Sequence, residues 1–260
     1  MILRGNFSSN TLHMSTNIQM FVPDNRSGPY RVVYLLHGLH GDQGTWLDNT
    51  MLPVYAKEYN AVFVMPEVGR SFYLNLKYGR RYFDYVSNEL PAVIGRILNI
   101  SSKREDTAVM GCSMGGYGAL MVALDRPELF GFCGGISTAC LYFKPMLEAL
   151  KKDPEPYLKT GAEAHEVFKD FKRVYGEGLE YRRDYDILEL VKDFPADKPK
   201  PRIYATCGTE DKLRQDNLNL AEEMKNLSFD FTYEEWPGEH DWYFFNEALK
   251  KTLKVWYGEN

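Results

Sequence analysis

Apolar residues along the chain fall into short runs that alternate with longer stretches of helical spacing. Gly5 to Val22 alternates loosely, with Phe7, Leu12, Met14, Ile18, Met20 and Val22 as its apolar positions. That period of two predicts an antiparallel hairpin or two edge strands. Pro23 to Pro29 is a turn cluster. Arg31–Leu36, Ala61–Met65 and Thr107–Met110 are apolar runs that predict strands within a sheet, and Phe132–Ile136, Arg202–Cys207 and Phe229–Trp236 are read as further strands. Between them lie helix candidates at Met51–Tyr59, Tyr82–Ile100, Tyr117–Leu124, Gln215–Asn226 and Asp241–Tyr257. Within Tyr82–Ile100, Pro91 marks either a kink or a junction between two helices. Strands alternating with helices predict an α/β fold with a mostly parallel central sheet and helices on both faces.

The pattern changes from 141 to 199. This segment is charge-rich, lacks strand-like runs and shows helical spacing at Ala162–Tyr175 and Tyr185–Val191. We read it as a helical, cap-like insertion within one domain spanning 1–260. It either covers a site or packs peripherally.

Composition adds mainly exclusions. The 260 residues are 44% hydrophobic and 26% charged, as in ordinary globular chains. A formal net charge of −5, with basic residues clustered only in pairs, argues against a nucleic-acid partner. No run approaches the roughly 18 apolar residues of a membrane span, so no membrane partner is expected. The N-terminus carries no signal-peptide pattern, so a cytoplasmic location is expected, with a secreted form whose leader has been trimmed as the alternative. Cys112, Cys133, Cys140 and Cys207 form no C-x-x-C pair, so zinc and thioredoxin-type chemistry have no support.

The chemistry is carried by four turns, each directly after a predicted strand. Ligand sites of open parallel sheets form beyond those strand ends. The first turn is His37-Gly38-Leu39-His40-Gly41-Asp42, whose glycines let backbone N–H groups point at a developing oxyanion. The second is Gly111-Cys112-Ser113-Met114-Gly115-Gly116, a G-x-S-x-G sequence between strand and helix. Such an elbow holds a serine Oγ above the sheet edge, where the next N–H, that of Met114, can donate to an oxyanion. The third is Gly208-Thr209-Glu210-Asp211 and the fourth Pro237-Gly238-Glu239-His240. A serine nucleophile needs a base, and the base needs an acceptor that fixes its tautomer. Ser113, Asp211 and His240 follow one another in the order expected of α/β hydrolases. Of the five histidines, His13, His37, His40, His165 and His240, only His240 follows the last strand. Asp211 is preferred as the acid, with Glu210 its main rival. Trp46, Phe72, Tyr73 and Trp242 lie in or beside these loops and either line a substrate pocket or fill the core.

The runs Tyr34-Leu-Leu-His-Gly-Leu-His-Gly-Asp, Gly111-Cys-Ser-Met-Gly-Gly-Tyr-Gly-Ala-Leu, Cys207-Gly-Thr-Glu-Asp and Gly238-Glu-His-Asp-Trp together resemble the esterase D-like family of α/β hydrolases. Within it the tributyrin esterase branch is most similar, and feruloyl esterases, acetyl-xylan esterases, S-formylglutathione hydrolases and mycolyltransferases are also members. The resemblance spans nearly the whole chain. It implies an α/β-hydrolase fold with Ser113 as nucleophile, Asp211 as acid, His240 as base, and the N–H groups of Leu39 and Met114 as oxyanion hole. It implies no metal and no organic cofactor. The expected reaction is hydrolysis of short-chain or aromatic-acyl (feruloyl- or cinnamoyl-type) esters through an acyl-enzyme. The expected partner is a small ester, such as an acetylated or feruloylated saccharide. Acetyl-xylan esterase, S-formylglutathione hydrolase, acyltransferase and a non-catalytic binding protein are the alternatives, and homo-oligomerisation is left open.

Overall fold

The computed structural model describes residues 1–24 and 27–258. The turn expected over Pro23–Pro29 includes Asn25 and Arg26, which lie outside the described residues.

The strands are β1 (Ile2–Ser9), β2 (Met14–Phe21), β3 (Arg31–Leu36), β4 (Ala61–Pro66), β5 (Thr107–Cys112), β6 (Phe132–Ile136), β7 (Arg202–Gly208) and β8 (Phe231–Trp236). They form one sheet in the order β1-β2-β4-β3-β5-β6-β7-β8. β1 and β2 pair antiparallel, as their period of two predicts, and β2 joins β4 antiparallel. Every other pairing, from β4 through β8, is parallel. The antiparallel hairpin therefore closes one edge of an otherwise parallel sheet.

The buried strands send alternate residues to opposite faces. In β3, Val32, Tyr34 and Leu36 join one core. Val33 and Leu35 join a second core on the other face. The second core is covered by α1 (Thr45–Asn49), α2 (Leu52–Tyr55) and α11 (Trp242–Tyr257) through Trp46, Leu52, Phe244, Phe245 and Leu249. The first core holds α5 (Met114–Asp125), which is buried along its whole circumference. It has no amphipathic stripe because protein packs around it on all sides.

Tyr82–Ile97 is helical but not uniformly so. Between α3 (Tyr82–Asp84) and α4 (Leu90–Ile97), residues Tyr85–Glu89 form a π turn. Pro91 has no N–H to give and its ring crowds the preceding turn, and the wider turn accommodates both. The helix predicted over Met51–Tyr59 shrinks to α2, with Pro53 in its first turn.

The 141–199 segment is wholly helical and irregular. It comprises α6 (Phe143–Lys152), α7 (Glu155–Leu158), α8 (Ala162–Tyr175) and α9 (Ile187–Lys192), and α10 (Arg214–Lys225) follows β7. Ion pairs tie α8 to the body. Arg70 donates to Asp170 at 2.7 Å and to Glu163 at 3.1 Å, and His40 reaches Glu163 at 3.0 Å. Among the described residues, no helix is long and apolar enough to cross a membrane.

Candidate active site

Ser113 sits between β5 and α5 with φ 55° and ψ −119°, a conformation few non-glycine residues adopt. The surroundings enforce it. The Ser113 N–H donates to Ile136 O at 2.9 Å, and its carbonyl accepts from the N–H groups of Gly116, Tyr117 and Ala139 at 3.0–3.2 Å. Two glycines make the bend sterically feasible. A Cβ on Gly115 would lie 2.3 Å from Leu36 O, and one on Gly111 would lie 2.4 Å from the Gly115 backbone. The turn therefore lifts Ser113 off the sheet into a cleft.

β7 and β8 bring the acid and the histidine together. The loops after them interlock: Glu210 N donates to Gly238 O at 3.0 Å, and Thr209 N to Trp236 O at 3.0 Å. Asp211 is buried, with one carboxylate oxygen accepting from Leu213 N–H at 2.8 Å and the other 2.7 Å from His240 Nδ1. Burial alone would raise the Asp211 pKa. The hydrogen bonds from His240 and Leu213 outweigh it and hold the carboxyl below the usual range. An ionised carboxylate only accepts, so Nδ1 carries the proton and the Nε2 lone pair is left for another donor. The ring is held edge-on against Phe245, with centroids 5.1 Å apart.

Glu210, the rival acid, points elsewhere. It accepts from the Gly238 N–H and from Thr209 Oγ, and so braces the histidine loop. Asp241 caps α11, accepting from Phe244 N–H at 3.0 Å.

The glycine loop after β3 is anchored by its carbonyls. Leu36 O accepts from Trp46 Nε1 at 3.0 Å, His37 O from the Tyr73 hydroxyl at 2.9 Å, and Gly38 O from Gly41 N at 3.0 Å. His37 is buried below this loop. Its Nδ1 lies 2.8 Å from Gly38 O, and Val68 N–H donates to its Nε2 at 3.4 Å. Burial lowers its pKa, and an imidazole that gives one proton and accepts another is neutral. Among the described residues, no loop or cap hydrogen bond engages the N–H of Leu39 or of Met114. Both residues border the cavity that Ser113 lines.

The chain as a whole has a match in sequence. The family model described as "Putative esterase" covers residues 9–255. The chain belongs to this esterase family. It is 32% identical over 265 residues to an acetyl esterase of Caldicellulosiruptor saccharolyticus, covering 97% of each chain. In structure it resembles a fluorophosphonate-binding serine hydrolase of Staphylococcus aureus, with TM-score 0.84, 27% identity and 98% of each chain covered. An S-formylglutathione hydrolase of the same organism is similar to the chain with TM-score 0.82 and 27% identity, again over 98% of each chain. The fold is that of the α/β hydrolases.

Two neighbouring cavities border Ser113 in this esterase. One, of about 400 Å³, is lined by Ser113, His240, Trp242 and the glycine loop. The other, of about 410 Å³, is lined by Ser113, Met114, Phe72, Met146, Val167 and Phe171 among others. Leu39, Ala139, Tyr157, Val167 and Leu213 border both.

The four aromatic candidates divide. Phe72 and Trp242 line these cavities. Trp46 and Tyr73 do not, which corrects the substrate-contact alternative for both. They are fully buried behind the glycine loop, with their polar atoms spent on Leu36 O and His37 O. Their part is to position that loop. Tyr73→Phe should lower kcat about 3- to 10-fold with little change in KM, because one neutral hydrogen bond under the loop is lost. Steady-state kinetics on one ester checks this.

The structure also brings in residues that the sequence reading left aside: Met146, Tyr157, Val167 and Phe171 from the 141–199 segment, and Leu213 and Asp216 near the start of α10. The signal for two of them is the stripe Val167, Phe171 and Val174 on α8, a period of three to four within a charged helix. Among the described residues, no three His, Cys, Asp or Glu side chains gather as a metal site.

Proposed function

We propose that this carboxylesterase works through an acyl-enzyme on Ser113, with His240 as general base and Asp211 as the group that holds its tautomer. The observation that carries the proposal is the 2.7 Å contact between Asp211 and His240 Nδ1, beside a serine that shares a cleft with that histidine. His240 Nε2 takes the Ser113 proton as Oγ attacks the ester carbonyl. The N–H groups of Leu39 and Met114 receive the developing oxyanion. Protonated His240 then delivers the proton to the leaving alkoxide, and water enters by the same route to release the acid.

This chemistry assigns the two cavities. The leaving group must lie where His240 can protonate it, and His240 lines only the first cavity. The acyl group then occupies the second, which Met114 borders and His240 does not. That cavity is walled by Phe72, Phe171, Val167 and Met146 and is large for an acetyl group. We infer a preference for longer or aromatic acyl groups.

A panel of esters sharing one alcohol tests this. From acetyl to butyryl and hexanoyl, kcat/KM should rise by about fourfold per added methylene while the chain stays in the cavity, from about 0.8 kcal/mol per buried methylene. An aromatic acyl ester should exceed acetyl as well. A flat profile, or activity on acetyl alone, rules the preference out.

A further inference from the structure

The acyl-side cavity has one feature that apolar packing does not explain. Asp216, in the first turn of α10, is a carboxylate set into a wall otherwise built largely from Phe72, Met146, Val167 and Phe171. Among the described residues the fully buried acids have donors: Asp170 has Arg70 and Arg173, Asp186 has Tyr181 and the N-terminus of α9, and Asp211 has His240 and Leu213, whereas Asp216 is half-buried. Asp216 has none. Among the described residues, no side chain forms an ion pair with it and no hydrogen bond reaches its carboxylate. Burial pushes its pKa up. Its place near a helix N-terminus favours the ionised form, which keeps a half-buried acceptor facing the cavity.

We propose that Asp216 is a specificity-determining residue that accepts a hydrogen bond from a donor on the acyl group, a hydroxyl or an ammonium remote from the ester carbonyl. The inference rests on the assignment of this cavity to the acyl group. Its physical basis is two-sided. An acyl group bearing a donor satisfies the carboxylate that its own binding desolvates. One without a donor covers the carboxylate and leaves it unpaired, at a cost larger than the mean value of a hydrogen bond. The pocket then has the usual composition of a selective site, an apolar wall with a few placed polar groups.

The test compares kcat/KM for the methyl esters of 3-phenylpropionate, its 4-hydroxy analogue and its 4-aminomethyl analogue. All three share one leaving group and one ring, so the ratio of donor-bearing to plain ester isolates the contact. The wild type should favour at least one donor-bearing ester by about tenfold or more, as for a hydrogen bond to a charged group. The analogue favoured identifies the donor as hydroxyl or ammonium. In Asp216→Leu the ratio should fall to one or below. Asp216→Asn keeps the shape and an acceptor oxygen, so it should retain a hydroxyl preference and lose an ammonium preference. Asp216→Ala, which also removes the acceptor and adds no bulk, carries the test should the leucine variant fail to fold, and there too the ratio should fall to one or below. Equal rates on all three esters in the wild type, or a donor preference that survives in Asp216→Leu, overturns the inference while the esterase reading stands. A wild type that hydrolyses no ester overturns both.

Discussion

Replacing Ser113 by Ala should lower ester hydrolysis by about 10⁴- to 10⁶-fold and leave the fold intact. The expected size follows from the geometry. With Oγ gone, His240 loses the Ser113 hydroxyl, and the hydroxyl of Thr45, which also borders the cleft, is engaged with Asp42. Cys112, the adjacent thiol, is fully buried, and burial pushes it up to about 12, so at neutral pH it is neither exposed nor ionised. The fold should survive because the elbow is held by backbone contacts of residue 113, to Ile136 on one side and to Gly116, Tyr117 and Ala139 on the other. Alanine keeps all of them. A fluorophosphonate probe should label the wild type and not the variant, and the two melting temperatures should agree within about 2 °C. A variant that retains labelling or activity would assign the nucleophile elsewhere.

Much of this architecture was legible in the sequence because the signals were local. Strands β3 to β7 are buried on both faces, so they appear as unbroken apolar runs, and the β1–β2 hairpin alternates as a half-covered ribbon should. The elbow was legible for a related reason, since a bend this tight demands Gly111 and Gly115 at fixed offsets.

What the sequence left open depended on long-range contacts. Glu210 and Asp211 are neighbours, and composition cannot say which of them faces His240. The choice is made where Gly208 and Gly238 pass each other: a Cβ on Gly208 would lie 2.1 Å from Gly238 O. That contact turns Glu210 toward the Gly238 amide and leaves Asp211 beneath the imidazole. Trp46 and Tyr73 were ambiguous because an aromatic near a loop can face the cavity or support the loop from behind, and only the partners of their polar atoms decide. The stripe Val167, Phe171 and Val174 marks an apolar face of α8 but not what that face meets, which is set by contacts of α8 with Arg70 and His40, about a hundred residues earlier in the chain.

The second large effect is expected at Asp211, and its sign can be worked out from hydrogen-bond roles. In the wild type both carboxylate oxygens accept, one from Leu213 N–H at 2.8 Å and the other from His240 Nδ1 at 2.7 Å. Asparagine in the same place has one acceptor and one donor. The Leu213 N–H can only donate, so the amide oxygen turns to it and the amide nitrogen faces Nδ1. An Nδ1 that receives a hydrogen bond is unprotonated, so the ring proton moves to Nε2, the nitrogen that must accept the proton of Ser113. The base is then blocked while every atom stays close to its place. Asp211→Asn should lower kcat by about 10⁴-fold with KM nearly unchanged. Fluorophosphonate labelling should slow in parallel, since it needs the same proton transfer. Glu210→Gln leaves the Asp211–His240 contact in place and serves as the comparison, with a loss of no more than about tenfold from a loosened loop. Equal losses in the two variants would remove Asp211 from its assigned part.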